Sequence, residues 1–204
     1  LWDKRISLTN YEDSDGETAP AVEHIHTATD FQLYRGYYEN GRRQNPSYGG
    51  PALLQRDLKT RKDIFWLYCE DGREQNPPSG QYAEGHSDPA TDVIDHEVSW
   101  IGGLKLTDNP LLKPAEIRRD PATGKTTYES FRTKGATSYL HCTANGAFLP
   151  AERRYHGRSG QLVDAVWHDT HLPFHRATRE DLDHYNKTGA FLNHRPEPDR
   201  HIIT

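Results

Sequence analysis

The sequence predicts an all-β fold, an antiparallel meander of successive β-hairpin repeats with about ten to thirteen strands. Three observations carry this reading. Residues 114–135 read as one hairpin: 115–119 form a strand, Asp120-Pro121-Ala122-Thr123-Gly124 supplies a type I turn with Gly free for positive φ, and 125–131 return. Taking Pro20, Pro51, Pro114, Pro150 and Arg179 as equivalent starts puts a hydroxyl at the same offset in every copy, at Thr29, Thr60, Thr123, Ser159 and Thr188. A later offset carries an aromatic in four copies, Tyr37, Tyr68, Phe131 and Trp167. Finally, Arg42-Arg43-Gln44-Asn45-Pro46 after Asn40-Gly41 is echoed by Arg73-Glu74-Gln75-Asn76-Pro77 after Asp71-Gly72, and both dipeptides signal two-residue hairpin turns.

Composition agrees with a repeat array that packs modestly. Only 33% of the 204 residues are apolar, yet 11 Tyr, 6 Phe and 4 Trp are too many aromatics for a chain with nothing to bury. A net charge of −5 with both signs interspersed argues against a nucleic-acid groove or an anionic membrane surface as partner. No apolar run is long enough to span a bilayer. Cys69 and Cys142 read as two free thiols rather than a disulfide framework. Met is absent, which predicts a processed or trimmed N-terminus, and the sequence indicates no compartment.

In chain order, residues 1–19 read as a partial unit with an acidic loop, the repeat domain spans 20–193, and 194–204 form a tail. Units start near 20, 51, 89, 114, 150 and 179. The second unit holds the most apolar strand, Ile64-Phe65-Trp66-Leu67-Tyr68-Cys69, which predicts cover on both faces, and 79–87 read as a loop insertion. The third unit, from Pro89, is shortened at a tip placed around Asp95-His96, with Trp100 as its aromatic. Alternation in the fifth puts Val163, Ala165 and Trp167 on one face and Leu162, Asp164 and Val166 on the other. The last half unit holds the one helix-like segment, 178–185, led by Thr178 as a cap.

The order of aromatic, Asn-Gly or Asp-Gly, a basic stretch, then Pro-Ala and a charged strand resembles short β-hairpin repeats of the MORN type and their relatives in bacterial and phage proteins, over residues 19–193. Gly50-Pro51-Ala52 and His175-Arg176 keep parts of the family's His-Arg-x-Asp-Gly-Pro-Ala pattern. The resemblance implies a meandering sheet used for binding, scaffolding or display. It leads to a non-enzymatic binding or structural module, phage structural or bacterial effector-associated, whose partner is a protein or a second copy of itself. Two rivals stand beside it. A metal-dependent hydrolase or nuclease would draw on the C-terminal stretch, with His168, Asp169, His171, His175 and His184 as ligands near Asp164, Asp181, Asp183 and His194. Their irregular spacing favours solvated histidines, so no catalytic residue, metal site or cofactor is assigned. A carbohydrate-binding domain using exposed Tyr and Trp is the second rival.

Overall fold

The computed structural model describes residues 2–6, 11–12, 18–107, 113–131, 141–142, 148–167 and 175–192. Contacts divide it into two compact units, Leu1–Leu104 and Lys105–Thr204. Each is an antiparallel meander in which neighbours in sequence are neighbours in the sheet, as expected for hairpin repeats. The first contains β1 (Trp2–Ile6), β2 (Val22–His26), β3 (Phe31–Gly36), β4 (Leu53–Arg56), β5 (Asp63–Leu67), β6 (Glu84–Ser87) and β7 (Ile94–Val98). The second contains β8 (Glu116–Arg119), β9 (Thr126–Ser130), β10 (Glu152–Tyr155), β11 (Leu162–Trp167) and the short β12 (His175–Arg176), followed by helix α1 (Arg179–Thr188).

Four of the five described hairpin tips are closed by the same pair of backbone bonds. At the second, Asp57 N–H donates to the Lys62 carbonyl (2.9 Å) and the Asp57 carbonyl accepts from Arg61 N–H (2.8 Å). The same pair of bonds recurs from Asp88, Asp120 and His156. The side chain of the first tip residue then accepts from the hydroxyl residue: Asp57 Oδ1 from Thr60 N–H (2.7 Å), Asp88 Oδ1 from Thr91 N–H (2.9 Å), Asp120 Oδ1 from Thr123 N–H (3.0 Å). These bonds to the ionised form hold the Asp57 and Asp88 carboxyls below their ordinary range. The residue after the hydroxyl takes positive φ in all five tips, at Asp30 (50°), Arg61 (61°), Asp92 (64°), Gly124 (69°) and Gly160 (77°).

These tips correct the phase of the third unit. Pro89 does not start a hairpin; it lies inside the tip between β6 and β7, in the place of Leu58 and Pro121. The start is Tyr82-Ala83, where Tyr replaces the Pro of other units, so residues 84–87, expected in a loop, are β6, and Asp95 and His96 lie in β7. Thr91 is therefore the fifth tip hydroxyl. Thr188 is not one: it ends α1, where its Oγ donates to the His184 carbonyl (2.9 Å), and Gly189, at φ 75°, is the left-handed cap of that helix. The half unit from 179 is thus a helix, begun by Thr178 in a capping box with Asp181.

Each hairpin also carries a β-bulge one step from its tip, between His24/Ile25, Gln55/Arg56, His86/Ser87, Arg118/Arg119 and Arg154/Tyr155. The opposing strand holds an extra residue there, which breaks simple alternation. In β11 the extra residue is Val163, left 51% exposed, and Leu162 is returned to the core with Ala165 and Trp167. Simple alternation sets Val163 with Ala165 and Trp167, and Leu162 opposite them. The bulge is the reason it fails.

Consecutive hairpins are joined by buried alanines and by Gln-Asn staples. Ala21, Ala52, Ala83 and Ala115 are fully buried and Ala151 nearly so. The Ala52, Ala83 and Ala151 carbonyls accept from the N–H of Tyr37 (2.7 Å), Tyr68 (2.7 Å) and Phe131 (2.8 Å), the residues of the aromatic offset. The equivalent place in the third unit is Ser99, buried, rather than Trp100. Tyr37, Phe131 and Trp167 are buried and Tyr68 is half-buried. Between hairpins the chain makes small turns at Asn40-Gly41, Asp71-Gly72 and Gly102-Gly103, all six residues at positive φ. Gln44 Oε1 accepts from Asp71 N–H (2.7 Å) and Gln75 Oε1 from Gly102 N–H (2.7 Å). Asn45 Oδ1 accepts from Cys69 N–H (2.8 Å); Asn76 Oδ1 accepts from Trp100 N–H (3.0 Å) and Ala83 N–H (3.1 Å), while its Nδ2 donates to Ser99 Oγ (2.6 Å). The echoed Gln-Asn-Pro is therefore a connector.

Two measurements check this account. Gly124→Val forces a β-branched residue to φ 69° and is expected to destabilise by about 1–3 kcal/mol in denaturant unfolding. Asn76→Ala orphans two part-buried backbone donors and is expected to cost about 2–4 kcal/mol, more than Asn45→Ala, since each unpaired donor is worth about 1–3 kcal/mol.

Candidate functional site

Because strand register is continuous across β2 to β7, side chains fall into transverse rows, and adjacent rows lie on opposite faces of the sheet. One row runs His24, Tyr34, Gln55, Phe65, His86, His96. Its rings are in contact: His24 and Tyr34 at 5.3 Å between centroids, Phe65 and His86 at 4.8 Å, and His86 stacked on His96 at 5.4 Å. Leu53, Leu67 and Cys69 form the core beside it, with Tyr34, Tyr38 and Phe65 packed against them.

At the β6–β7 end of this row the ligand atoms of Glu84, His86 and His96 all lie within 4.8 Å of one another. Glu84 sits two residues before His86 in β6, so it shares its face, and His96 is directly opposite His86 in β7. Trp100 Nε1 donates to Glu84 Oε2 (2.8 Å), which orients the carboxylate and leaves Oε1 turned to His86 Nε2 at 3.4 Å. All three side chains are half-buried. Donor types of this kind, two imidazoles and one carboxylate, suit a divalent transition metal.

The neighbouring row runs Glu23, Arg35, Leu54, Trp66, Gly85, Glu97. A Cβ on Gly85 would sit 1.9 Å from the Trp66 ring, so the absent side chain is what lets the indole lie flat across β6. Around it a shallow groove is lined by Arg35, Leu54, Trp66, Tyr68, Ile94 and Glu97.

Among the described residues, the C-terminal candidates do not come together in this way. His168, Asp169, His171 and His194 lie outside the described residues, and His175 is placed only as backbone of β12. His184 lies on α1, Asp181 is used in the capping box, and Asp164 pairs with Arg176 at 3.2 Å and Arg154 at 4.0 Å. The constellation that does form was hidden by the misplaced tip. With the tip taken at Asp95-His96, His96 fell in a turn; with the tip at Asp88 to Asp92, His86 and His96 become cross-strand partners. No described helix is long and apolar enough to cross a membrane. No family model matches the chain, and no curated protein and no solved structure shows significant similarity to it.

Cys69 is fully buried and reduced, and burial, with Glu74 nearby, pushes its thiol up to about 11. The reactive thiolate is thereby depleted at neutral pH. At pH 8 the Cys69 peptide is expected to stay unlabelled by iodoacetamide in the native protein and to label fully in denaturant. Native labelling at the rate of a free thiol would show that the core around it opens.

Proposed function

We propose that the protein is a non-enzymatic binding or scaffold module, built of hairpin repeats of the MORN-like kind, that engages a protein partner through the Trp66 groove. The observation that supports this is a division of labour along each repeat. Alanines, tip carboxylates and Gln-Asn staples are engaged in the framework, while the groove row changes from hairpin to hairpin. In the groove, Trp66, Tyr68 and Arg35 lie beside Leu54 and the partly exposed Ile94, flanked by Glu97. Trp, Tyr and Arg around an apolar centre with charges at the margin is the composition of protein interface hot spots.

The test is crosslinking and recovery of the partner from the native source with the wild-type chain, with Ile94→Asp and Glu97→Arg in the groove, and with Val163→Asp on the other unit as control. Groove substitutions are expected to reduce recovery at least tenfold and the control to leave it unchanged. Recovery indifferent to both groove changes would overturn the assignment of the groove. Binding to a glycan array that is lost with Trp66→Phe would replace the protein partner by a sugar.

A further inference from the structure

We propose that the third hairpin carries a Zn²⁺-class metal site, with Glu84, His86 and His96 as its three protein ligands and one position left open. The distances fit. Zn–N and Zn–O bonds of about 2.0–2.2 Å place neighbouring donors of a tetrahedron about 3.3–3.5 Å apart. Glu84 Oε1 and His86 Nε2 stand 3.4 Å apart, long for a hydrogen bond and the length of such an edge. His96 offers a ring nitrogen within 4.8 Å of both, so a side-chain movement of roughly 1–1.5 Å closes the third corner. The indole N–H on Glu84 Oε2 supplies the outer contact that holds a ligating carboxylate in one orientation.

At the same register in the fourth hairpin, Glu116 takes the place of Glu84 and Arg118 that of His86. There the carboxylate is neutralised by fixed cations: Arg118 donates through Nε (2.9 Å) and Nη2 (2.7 Å), and Lys105 Nζ lies at 2.7 Å. In the third hairpin the guanidinium is exchanged for an imidazole, the opposing Tyr128 for a second imidazole, and the residue in the place of Lys105 is Glu74. A row position that elsewhere holds a built-in cation is there furnished to bind one.

The experiment is a Zn²⁺ titration of the full chain after chelator treatment, followed calorimetrically and with Co²⁺ as a spectroscopic stand-in. Wild type is expected to bind one equivalent with a Co²⁺ spectrum of mixed nitrogen and oxygen coordination, and His184→Gln to leave it unchanged. His86→Gln, His96→Gln and Glu84→Gln should each weaken it at least tenfold, and Trp100→Phe, which touches no metal, about 10–100-fold. Because the fourth hairpin folds with Arg at this position, His86→Arg keeps the hairpin and should abolish binding while the circular dichroism spectrum is retained. Binding that survives in His86→Arg and His96→Gln, or a wild-type chain that takes up no Zn²⁺, would overturn the site.

Discussion

The junction between hairpins depends on a methyl group. At residues 21, 52, 83, 115 and 151 the chain enters each new hairpin through an alanine with almost no solvent exposure, and at three of these its carbonyl oxygen lies within 2.8 Å of the backbone nitrogen closing the previous strand. A larger side chain there would push the strands apart and break that bond, and with it the register on which every transverse row depends. Glycine would fit but would loosen the entry. Alanine is the residue that satisfies both demands, which explains why Pro-Ala recurs where the rest of each strand drifts. The aromatic offset follows from the same junction: at Tyr37, Tyr68 and Phe131 its N–H is the donor, so its backbone is fixed while its side chain is free to vary between Tyr and Phe.

The architecture was legible because its strongest constraints are local. Positive φ at Gly124 and Gly160, the hydroxyl before it, and the Asn-Gly and Asp-Gly turns are written in neighbouring residues, and all are found. What escaped was phase wherever a marker residue was replaced. Tyr82 stands for the starting Pro and Ser99 for the aromatic, so the third unit was locked onto Pro89, which belongs to a tip. Thr188-Gly189 imitates a tip pair because a hydroxyl followed by a left-handed glycine also suits a helix end. The bulges leave no residue-type signature; Leu33, Ile64, Asp95, Thr127 and Val163 occupy the extra position with no shared chemistry. The Glu84, His86, His96 constellation was illegible for the same cause, since it exists only once the tip is correctly phased.

In the second unit a helix follows the last described hairpin. An open meander leaves an edge of unpaired backbone groups, which invites pairing with other chains. Here β12 is two residues long, and α1 then packs Leu182 and Tyr185, with Phe191, against Leu162, Ala165 and Trp167. Asn186 adds a two-way bond to the backbone of Leu162, its Oδ1 accepting from N–H at 2.8 Å and its Nδ2 donating to the carbonyl at 2.9 Å. The helix thus serves as a lid on the last hairpin's core.

The bulge has a further consequence for what the array can become. One step from each tip, the cross-strand pair beside the bulge presents both side chains on the same face. That pair is His24 with Tyr34, Gln55 with Phe65, His86 with His96, Arg118 with Tyr128 and Arg154 with Asp164. Each of these hairpins therefore carries one rung at the same register whose chemistry differs from hairpin to hairpin, aromatic, cationic or ion-paired, and where rungs touch, as Phe65 touches His86 at 4.8 Å, a change in one is felt by the next. The described hairpins thus form a rack of five slots, in which the tips and bulges recur while the contents of each slot differ.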